Sequence, residues 1–441
     1  MRIKNKKMNK TIFSIGSYGI FLVLVGLIIL FSVLTIKKQQ LVGEDAGTAL
    51  AAQVDNAKDT DRILLITSVS KAEKALITGF ENSVSKELQL EVLSQTPPVV
   101  RKRIASLIEA NEIPEYIVLS NKAKKWLLFQ QMQTNFPELK NVKVATIRAS
   151  SGSNFLKKEN LLNVADQIAV IAIIAIGMTM VIITSGIDLS VGSLIALSAV
   201  IVTTLIASYM GAEDASTPSV VIAGVAAIVI CGILGVLSGV FTTYFNIPSF
   251  IVTLSMMLIA SGIAYTISEG QSIYQIPESF VWLGRARVFG IPVSVLLMVA
   301  LYFIANIIMT KTVFGRYVYA IGGNLEAAQL SGVPIKKITI IVFAICGLLA
   351  GVGGVILASQ LNSGSPTYGT SYELYVIAAV VIGGTSLMGG EGKIWGTLIG
   401  AFVIGVIQNG MNLIGIESYL QKIILGLLIL VALVIEKYKK T

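Results

Sequence analysis

The chain has 441 residues, of which 54% are hydrophobic and only 13% are charged, and its mean hydropathy is +0.79. Such a composition excludes a soluble globular domain and is typical of a polytopic membrane protein, in which the 40 glycines would allow close helix packing. The net charge of +9 would suggest a nucleic-acid partner in a soluble chain. Here five of the basic residues lie before the first apolar run. Basic residues at that position set the orientation of a membrane protein, so no nucleic-acid partner is expected.

The sequence contains no histidine and only two cysteines, Cys231 and Cys346. The lack of histidine excludes Ser/His/Asp triads, histidine-ligated metals and imidazole proton relays. Both cysteines fall in apolar segments and are too few for a metal cage, so they are expected to be core residues. The sequence therefore predicts no metal site.

Apolar segments recur along the chain, and most have the roughly twenty residues needed to cross a bilayer. They lie at 12–36, 164–184, 190–210, 220–244, 250–267, 291–309, 338–360, 374–382, 397–412 and 420–435. The first is longer than the ~7–15 apolar residues of a signal-peptide core, which favours a retained anchor over a cleaved signal. The eighth is short and precedes a glycine-rich stretch, as in broken helices that line protein or water.

Lysine and arginine are distributed unequally between the predicted loops. If the N-terminus is cytoplasmic, the inner side holds Lys311, Arg316, Lys336, Lys337, Lys393, Lys437, Lys439 and Lys440. The short outer loops hold Arg285 and Arg287, with Lys422 at the last boundary. Since basic residues accumulate in cytoplasmic loops, the sequence predicts ten crossings of the lipid bilayer with both termini in the cytoplasm.

The polar residues 37–158, between the first two segments, do not belong in a membrane. Strands are predicted at 62–67, 90–93, 116–119 and 142–146, and helices at 71–88, 99–111 and 122–136. This alternation predicts a small parallel sheet flanked by helices, an inserted extracytoplasmic α/β domain. Residues that follow the strands would line the edge where such sheets bind ligands: Thr67, Ser68, Ser94, Gln95, Ser120 and Asn121.

The order of strands and helices in this insert is similar to one lobe of a periplasmic sugar-binding protein. The segment is too short to close two lobes around a sugar, so a docking or spacer role is favoured over direct substrate binding. The predicted fold is therefore an all-α polytopic membrane protein with about ten transmembrane helices and one small α/β insert. Its predicted parts are an N-terminus with the first helix at 1–36, the insert at 37–158 and a nine-helix core at 159–441.

A tight turn joins the second and third apolar segments within residues 177–193, Gly-Met-Thr-Met-Val-Ile-Ile-Thr-Ser-Gly-Ile-Asp-Leu-Ser-Val-Gly-Ser. An acidic residue at a helix start can accept hydrogen bonds from otherwise unpaired amides, so Asp188 is predicted to cap the third segment. The other interpretation is an intramembrane ion site, which would indicate a cation-coupled transporter. The candidate residues of this signature turn are Gly186, Asp188, Ser190 and Gly192.

The stretch 322–334, Gly-Gly-Asn-Leu-Glu-Ala-Ala-Gln-Leu-Ser-Gly-Val-Pro, predicts a two-turn helix in a basic cytoplasmic loop. Asn324 is the predicted N-cap, and Glu326 places a carboxylate near the positive end of the helix. Gly332, followed by Pro334, is predicted to end it. A small, capped and rigid helix in such a loop indicates a docking surface for another protein.

Three runs together resemble the permeases of monosaccharide ABC importers, those for ribose, galactose and xylose. They are 177–193, 314–328 (Phe-Gly-Arg-Tyr-Val-Tyr-Ala-Ile-Gly-Gly-Asn-Leu-Glu-Ala-Ala) and 377–390 (Ile-Ala-Ala-Val-Val-Ile-Gly-Gly-Thr-Ser-Leu-Met-Gly-Gly). The resemblance covers residues 153–441 and implies a homodimer in the bacterial cytoplasmic membrane, with an extracytoplasmic sugar-binding protein and an ABC ATPase subunit as partners. It implies an ATPase-coupling helix that comprises Asn324, Glu326, Ala327, Ala328 and Gly332.

The sequence agrees with an ATPase on a separate chain. It has no Gly-x-x-x-x-Gly-Lys-Ser/Thr motif, since Gly392 and Lys393 are followed by Ile394. The chain is therefore expected to be no enzyme and to bind no cofactor, with ATP bound by the partner. Galactose or glucose is expected before ribose or xylose. The alternative function is a secondary transporter or channel for a small polar solute.

Sugar selectivity requires polar side chains in the pathway, but helix packing uses the same residue types. The sequence therefore leaves the pathway residues unassigned. Candidates are Asp166, Gln167, Thr179, Asn246, Ser255, Glu373 and Asn409.

Overall fold

The computed structural model divides into two units, an insert and a membrane unit. It describes residues 19–39, 41–55, 57–58, 61–84, 88–147 and 150–439. The insert is Ile36–Ser153, and the membrane unit comprises the chain before and after it. Residues 154–158, predicted as part of the insert, thus belong to the membrane unit. The predicted N-terminal segment before residue 19, with its basic residues, and Lys440 lie outside the described residues.

The insert follows the apolar helix α1 (Gly19–Leu34). Its central sheet has four parallel strands in the order β3-β2-β4-β5, and β1 pairs with β6 in a separate antiparallel ribbon. The elements are β1 (Ile36–Gln39), α2 (Gly43–Ala51), β2 (Arg62–Thr67), α3 (Lys71–Ser83), β3 (Gln89–Ser94), α4 (Pro97–Glu109), β4 (Tyr116–Leu119), α5 (Leu127–Gln130), α6 (Met132–Asn135), β5 (Lys143–Thr146) and β6 (Ser150–Ser153).

The central strand β2 is apolar without interruption because helices cover both of its faces. Ile63 and Leu65 belong to one buried cluster with Phe80 of α3. Leu64 and Ile66 belong to the opposite cluster, which also contains Val100, Ile104 and Leu107 of α4. Strands that are buried on both faces are expected to show such apolar runs instead of alternation.

The prediction of a single helix at 122–136 is wrong. The chain forms short turns there, including α5 and α6, and the backbone leaves the helical region at Trp126 (ψ 139°) and at Gln131 (φ −115°, ψ 33°). Trp126 packs against the cluster that contains the buried side of α4. Tertiary packing of this side chain therefore outweighs local helix propensity.

The membrane unit is formed almost entirely by helices. Its remaining elements are α7 (Lys158–Ile183), α8 (Val191–Tyr209), α9 (Thr217–Tyr244), α10 (Ser249–Ser268), α11 (Glu278–Arg285), β7 (Arg287–Val288), β8 (Ile291–Pro292), α12 (Val293–Lys311), α13 (Val313–Gly323), α14 (Leu325–Leu330), α15 (Ile335–Leu361), α16 (Tyr372–Ile382), α17 (Ile394–Ile414) and α18 (Ser418–Lys439).

Among the described residues, seven helices are long and apolar enough to cross a membrane: α7, α8, α9, α10, α12, α15 and α17. Three shorter apolar helices, at Gly19–Leu34, Tyr372–Ile382 and Ser418–Val431, overlap the remaining predicted segments. The chain is thus a mostly helical polytopic membrane protein, as predicted from its composition.

The membrane unit is continuous across the point where the insert leaves it. The backbone N–H of Asn154 donates to the carbonyl oxygen of Thr35 at 3.1 Å, and the N–H of Phe155 donates to Thr35 Oγ1 at 3.1 Å. The rings of Phe31 and Phe155 stack with their centroids 6.1 Å apart. The end of α1 and the chain that leads into α7 are therefore neighbours within one unit.

The helices α9 and α15 pack closely because glycines line their contact. A β-carbon at Gly235 would overlap the carbonyl oxygen of Phe343, and one at Gly347 would overlap the carbonyl oxygen of Cys231. Small residues of this kind let membrane helices approach to backbone distance. Cys231 and Cys346 are both free and buried, as predicted.

Replacing Gly235 with leucine should force α9 away from α15 and lower the stability of the membrane unit. Overpacking of a filled core costs about 1–3 kcal/mol, which thermal unfolding of the detergent-solubilised protein would detect as a lower transition temperature. Gly262→Leu is the matched control, since no atom lies within 4 Å of a β-carbon at this helical glycine. Equal effects of the two substitutions would contradict the packing argument.

Candidate functional site

The signature turn connects α7 to α8 through residues 184–190. The Asp188 side chain is fully buried, and its Oδ1 accepts hydrogen bonds from the backbone N–H of Ser190 at 2.9 Å and from Ser190 Oγ at 2.6 Å. Asp188 therefore satisfies a backbone amide at the helix start, as predicted, but it is not the N-cap itself, because Ser190 occupies that position. The carboxylate instead fixes the residue immediately before the helix.

Two hydroxyl groups near the start of α10 accept hydrogen bonds from the backbone of this irregular segment. Ser249 Oγ accepts from the N–H of Ile187 at 3.0 Å, and Thr253 Oγ1 accepts from the N–H of Leu189 at 3.1 Å. Buried backbone amides need such partners. Sequence reasoning missed both hydroxyls, although their spacing of four residues at a helix start places them on one helix face.

The predicted N-cap of α14 is confirmed. Asn324 Oδ1 accepts a hydrogen bond from the N–H of Ala327 at 2.9 Å. At the other end Gly332 adopts a left-handed conformation with φ +78°, and the N–H of Val333 donates to the carbonyl oxygen of Ala328 at 3.0 Å. This pattern is a Schellman motif, which ends the helix where the sequence predicts.

The two sides of α14 differ in exposure. Ala328 is buried, whereas Glu326 and Ala327 are exposed. Leu330 is 90% exposed, which is unusual for a large apolar side chain at the end of a rigid helix. The helix therefore presents the apolar Leu325 and Leu330 and the acidic Glu326 outward on a fixed backbone.

The three sequence runs meet at one place, which we call the glycine junction and define by Ile183, Ser185, Gly322, Met388 and Gly390. The carbonyl oxygen of Ile183 accepts a hydrogen bond from the N–H of Gly390 at 2.9 Å, and Ser185 Oγ donates to the carbonyl oxygen of Met388 at 3.0 Å. A β-carbon at Gly322 would overlap the same carbonyl oxygen of Ile183.

The loop 383–393 contributes backbone rather than side chains to the junction. Gly384, Gly389 and Gly390 have φ of +86°, +85° and +74°, a region that favours glycine. Tyr319 OH on α13 donates to the carbonyl oxygen of Gly392 at 2.8 Å. The short α16 and this loop match the broken eighth segment that the sequence predicts. Displacement of α13 would therefore be transmitted to α7 and to the loop.

A cavity of about 200 Å³ lies in the membrane unit beside the first turns of α8 and α16. Glu373 is half-buried and occupies space that a β-carbon at Gly192 would fill. Gly192 of the signature turn thus makes room for the carboxylate. Other polar residues that line the cavity are Ser193, Ser261, Tyr265, Tyr368, Thr370 and Ser371.

Glu373 is the one pathway candidate from the sequence that lines this cavity. Thr179 Oγ1 lies 2.7 Å from Thr397 Oγ1, and Asn409 exchanges hydrogen bonds with Asn160 at 3.0 Å. Asp166 accepts from Gln360 Nε2 at 3.0 Å and from Ser294 Oγ. These three candidates join helices to one another. The side chains of Gln167, Asn246 and Ser255 are exposed elsewhere.

A second cavity, of about 250 Å³, lies within the insert. Of the six predicted strand-end residues, Asn121 lines it. Ser120 Oγ accepts from the N–H of Ala123 at 3.2 Å, and Ser94 Oγ donates to the carbonyl oxygen of Ser68 at 3.4 Å.

Among the described residues of the whole chain, no group of three or more Asp, Glu or Cys side chains could hold a metal ion.

Comparison with known families distinguishes the membrane unit from the insert. Residues 160–433 match the family described as the branched-chain amino acid transport system permease component. The chain belongs to this family. The match covers the signature turn, α14 and the glycine junction, and it leaves out the insert.

Curated relatives of the permease carry the names of sugar transport systems. The ribose import permease protein RbsC of Escherichia coli K12 is 43% identical over 291 residues, which cover 65% of this chain and 88% of that protein. RbsC of Bacillus subtilis 168 is 41% identical over 288 residues, 65% of this chain and 87% of that protein. The L-arabinose transport system permease protein AraH of Escherichia coli K12 is 39% identical over 287 residues, 65% and 85% respectively.

No solved structure matches the chain significantly. The predicted resemblance to monosaccharide ABC importer permeases is confirmed by the family and by these relatives. Since the relatives are named as permease proteins, the chain is a transport permease and not an enzyme.

Replacing Gly322 with alanine should open the glycine junction, since the new methyl group would overlap the carbonyl oxygen of Ile183. Overpacking of this kind costs about 1–3 kcal/mol, and we expect faster amide hydrogen exchange in residues 384–392 of the solubilised permease. Gly323→Ala is the matched control, because a β-carbon at that position meets no atom within 4 Å. Unchanged exchange in Gly322→Ala would show that the contact does not hold the loop.

Proposed function

We propose that the permease is the membrane subunit of an ATP-driven monosaccharide importer, with α14 as the helix that an ABC ATPase engages. The observation that carries this proposal is the direct path from α14 to the glycine junction. Asn324 joins α14 to α13, and Gly322 of α13 lies against the end of α7. A partner that moves α14 would therefore displace α7, the signature turn and the 383–393 loop together.

The mechanism is alternating access driven from both sides of the membrane. ATP binding would bring two ATPase subunits together beneath a homodimer of permeases, and α14 with Asn324, Glu326, Ala327, Ala328 and Gly332 would follow them. An extracytoplasmic sugar-binding protein would favour the outward-facing state from the other side. The permease would then be in equilibrium between an outward-facing and an inward-facing state. Each partner shifts this equilibrium toward the state that it binds more tightly.

The proposed topology has ten crossings of the bacterial cytoplasmic membrane, with both termini in the cytoplasm and the insert outside. The three shorter apolar helices complete the seven long ones in this topology. Basic residues near α14 support a cytoplasmic position for it. Lys336, at the start of α15, lies 4.6 Å from the centre of the Tyr244 ring at the end of α9.

The proposed substrate is an aldose that passes through the cavity beside Glu373. Hydroxyl groups of Ser193, Tyr368 and Thr370 with the carboxylate of Glu373 offer the donors and acceptors that sugar hydroxyls require. The sequence alone favours galactose or glucose, whereas relatives are named for ribose, L-arabinose and D-allose. We therefore place D-ribose first among the substrates to test.

Transport by the reconstituted complex tests the function. Vesicles that contain the permease and its ATPase, with the binding protein added, should accumulate labelled sugar only when ATP is supplied. We expect D-ribose to be taken up fastest in a panel with L-arabinose, D-allose, D-xylose, D-galactose and D-glucose. Glu373→Gln should reduce uptake about tenfold or more, since a hydrogen bond to a charged group contributes about 1.5–3 kcal/mol. Accumulation by the permease alone would favour the secondary transporter instead.

Replacing Glu326 with lysine should uncouple the ATPase. Charge reversal on an exposed docking helix introduces repulsion that can cost several kcal/mol, so transport-stimulated ATP hydrolysis should fall about tenfold or more. Membrane insertion should be unchanged, because Glu326 is exposed. Glu269→Lys makes the same charge change at an exposed residue after α10 and serves as the control. Coupled hydrolysis at normal rates in Glu326→Lys would contradict the docking role of α14.

A further inference from the structure

The cavity of the insert lies where parallel α/β sheets most often bind small molecules. Its lining comes from the starts of α2 and α3 and from residues just beyond the carboxyl ends of β4 and β5. Ligands of open α/β sheets bind outside the carboxyl ends of the strands. The lining side chains that matter here are Glu73, Leu76, Asn121, Lys122, Lys125 and Ile147.

Glu73 is the group that points to a ligand. Its side chain is only 6% exposed, and its Oε2 atom has no hydrogen-bond partner among the described residues. A buried carboxylate oxygen without a partner is costly, so a donor that the described residues do not supply is expected at this atom.

Helix capping does not account for the buried position of Glu73. Ser70 and Glu73 have the spacing of a capping box, in which each side chain would satisfy a backbone amide at the start of α3. However, the Ser70 side chain makes no cap hydrogen bond, and its Oγ instead accepts from Lys122 Nζ at 3.3 Å. Ser70 therefore contacts a lysine that lines the cavity instead of capping α3, and Glu73 lines the cavity.

Among the described residues, neither lysine of the cavity forms an ion pair with Glu73. The ion pairs found in the described part of the insert are Arg62 with Glu112 and Arg103 with Glu91. The hydrogen bond from Arg62 lowers the pKa of Glu112, but no such pair involves Glu73. An acceptor and two ammonium donors thus line one cavity with space between them.

This set of groups matches a polyhydroxylated ligand. A hydroxyl can donate to the Glu73 carboxylate while it accepts from the ammonium of Lys122 or the amide of Asn121. The buried apolar residues Leu76 and Ile147 offer contact for C–H groups of the same molecule. An amine ligand would be bound better if a second carboxylate stood at position 121. Because Asn121 is neutral, the cavity favours hydroxyl groups over amines.

We propose that the insert binds one monosaccharide-sized polyol in this cavity, with Glu73 as the principal acceptor. This site belongs to the insert and is separate from the cavity beside Glu373 in the membrane unit. The proposal goes beyond transport and does not depend on it, since binding requires neither ATP nor a partner chain.

Calorimetric titration of the full-length chain in lipid nanodiscs, without ATPase, tests the proposal. D-ribose and D-galactose are the sugar probes, and L-leucine and L-lysine test the chemical class. We expect saturable binding of at least one sugar, weakened about tenfold or more in Glu73→Gln and also weakened in Lys122→Ala. Glu81→Gln, at an exposed position on the same helix, should bind normally. Glu373→Gln should retain this binding event.

Two further measurements separate a binding role from a structural one. Sugar should slow amide exchange in residues 67–76 and 119–126 of the wild-type chain. Without sugar, Glu73→Gln should raise the unfolding temperature of the insert, because it replaces a buried carboxyl group whose Oε2 has no partner among the described residues. A purely structural glutamate would give a lower temperature.

Three results would overturn the proposal: no saturable sugar binding, sugar binding that Glu73→Gln leaves unchanged, or Glu73-dependent binding of an amino acid but of no sugar. Failure of vesicle uptake would count only against the transport function. Absence of sugar binding in the titration would count only against this site. The two proposals are therefore tested independently.

Discussion

Close packing around the carbonyl end of α7 constrains the rest of the membrane unit. The carbonyl oxygen of Ile183 lies between the N–H of Gly390 and the backbone of Gly322, with no room for a side chain on either glycine. Because interiors packed to this density do not deform gradually, a displacement of α13 must move its neighbours together. The arrangement is therefore suited to switching between discrete states, which the proposed alternating access would require.

The signature turn shows how the same unit tolerates irregular, buried backbone between two helices. Irregular segments within membrane proteins persist only where other groups satisfy their amides. Ser249 and Thr253 supply acceptors, and Asp188 fixes Ser190 before α8 begins. The broken geometry brings Gly192 next to Glu373, so one turn both closes the backbone hydrogen bonds and shapes the cavity.

Local signals in the sequence were sufficient for the elements that depend on local chemistry. Asn324 and Gly332 delimit α14 because capping involves only neighbouring residues. The meeting of the three runs was not predictable, since the contact between Gly322 and Ile183 joins residues far apart in the chain. The break at Trp126 was missed for the same reason, because packing against α4 decides it. The burial of Glu73 likewise follows from the sheet edge and not from its capping-box spacing.

The ribbon of β1 and β6 brings the two ends of the insert side by side, and Thr35 already meets Asn154 within the membrane unit. An added domain whose ends coincide requires no rearrangement of the host fold and little extra loop-closure entropy. A permease of this architecture can thus gain or lose an entire accessory module in evolution at a single join. The bundle that carries solute would keep its own geometry in either case.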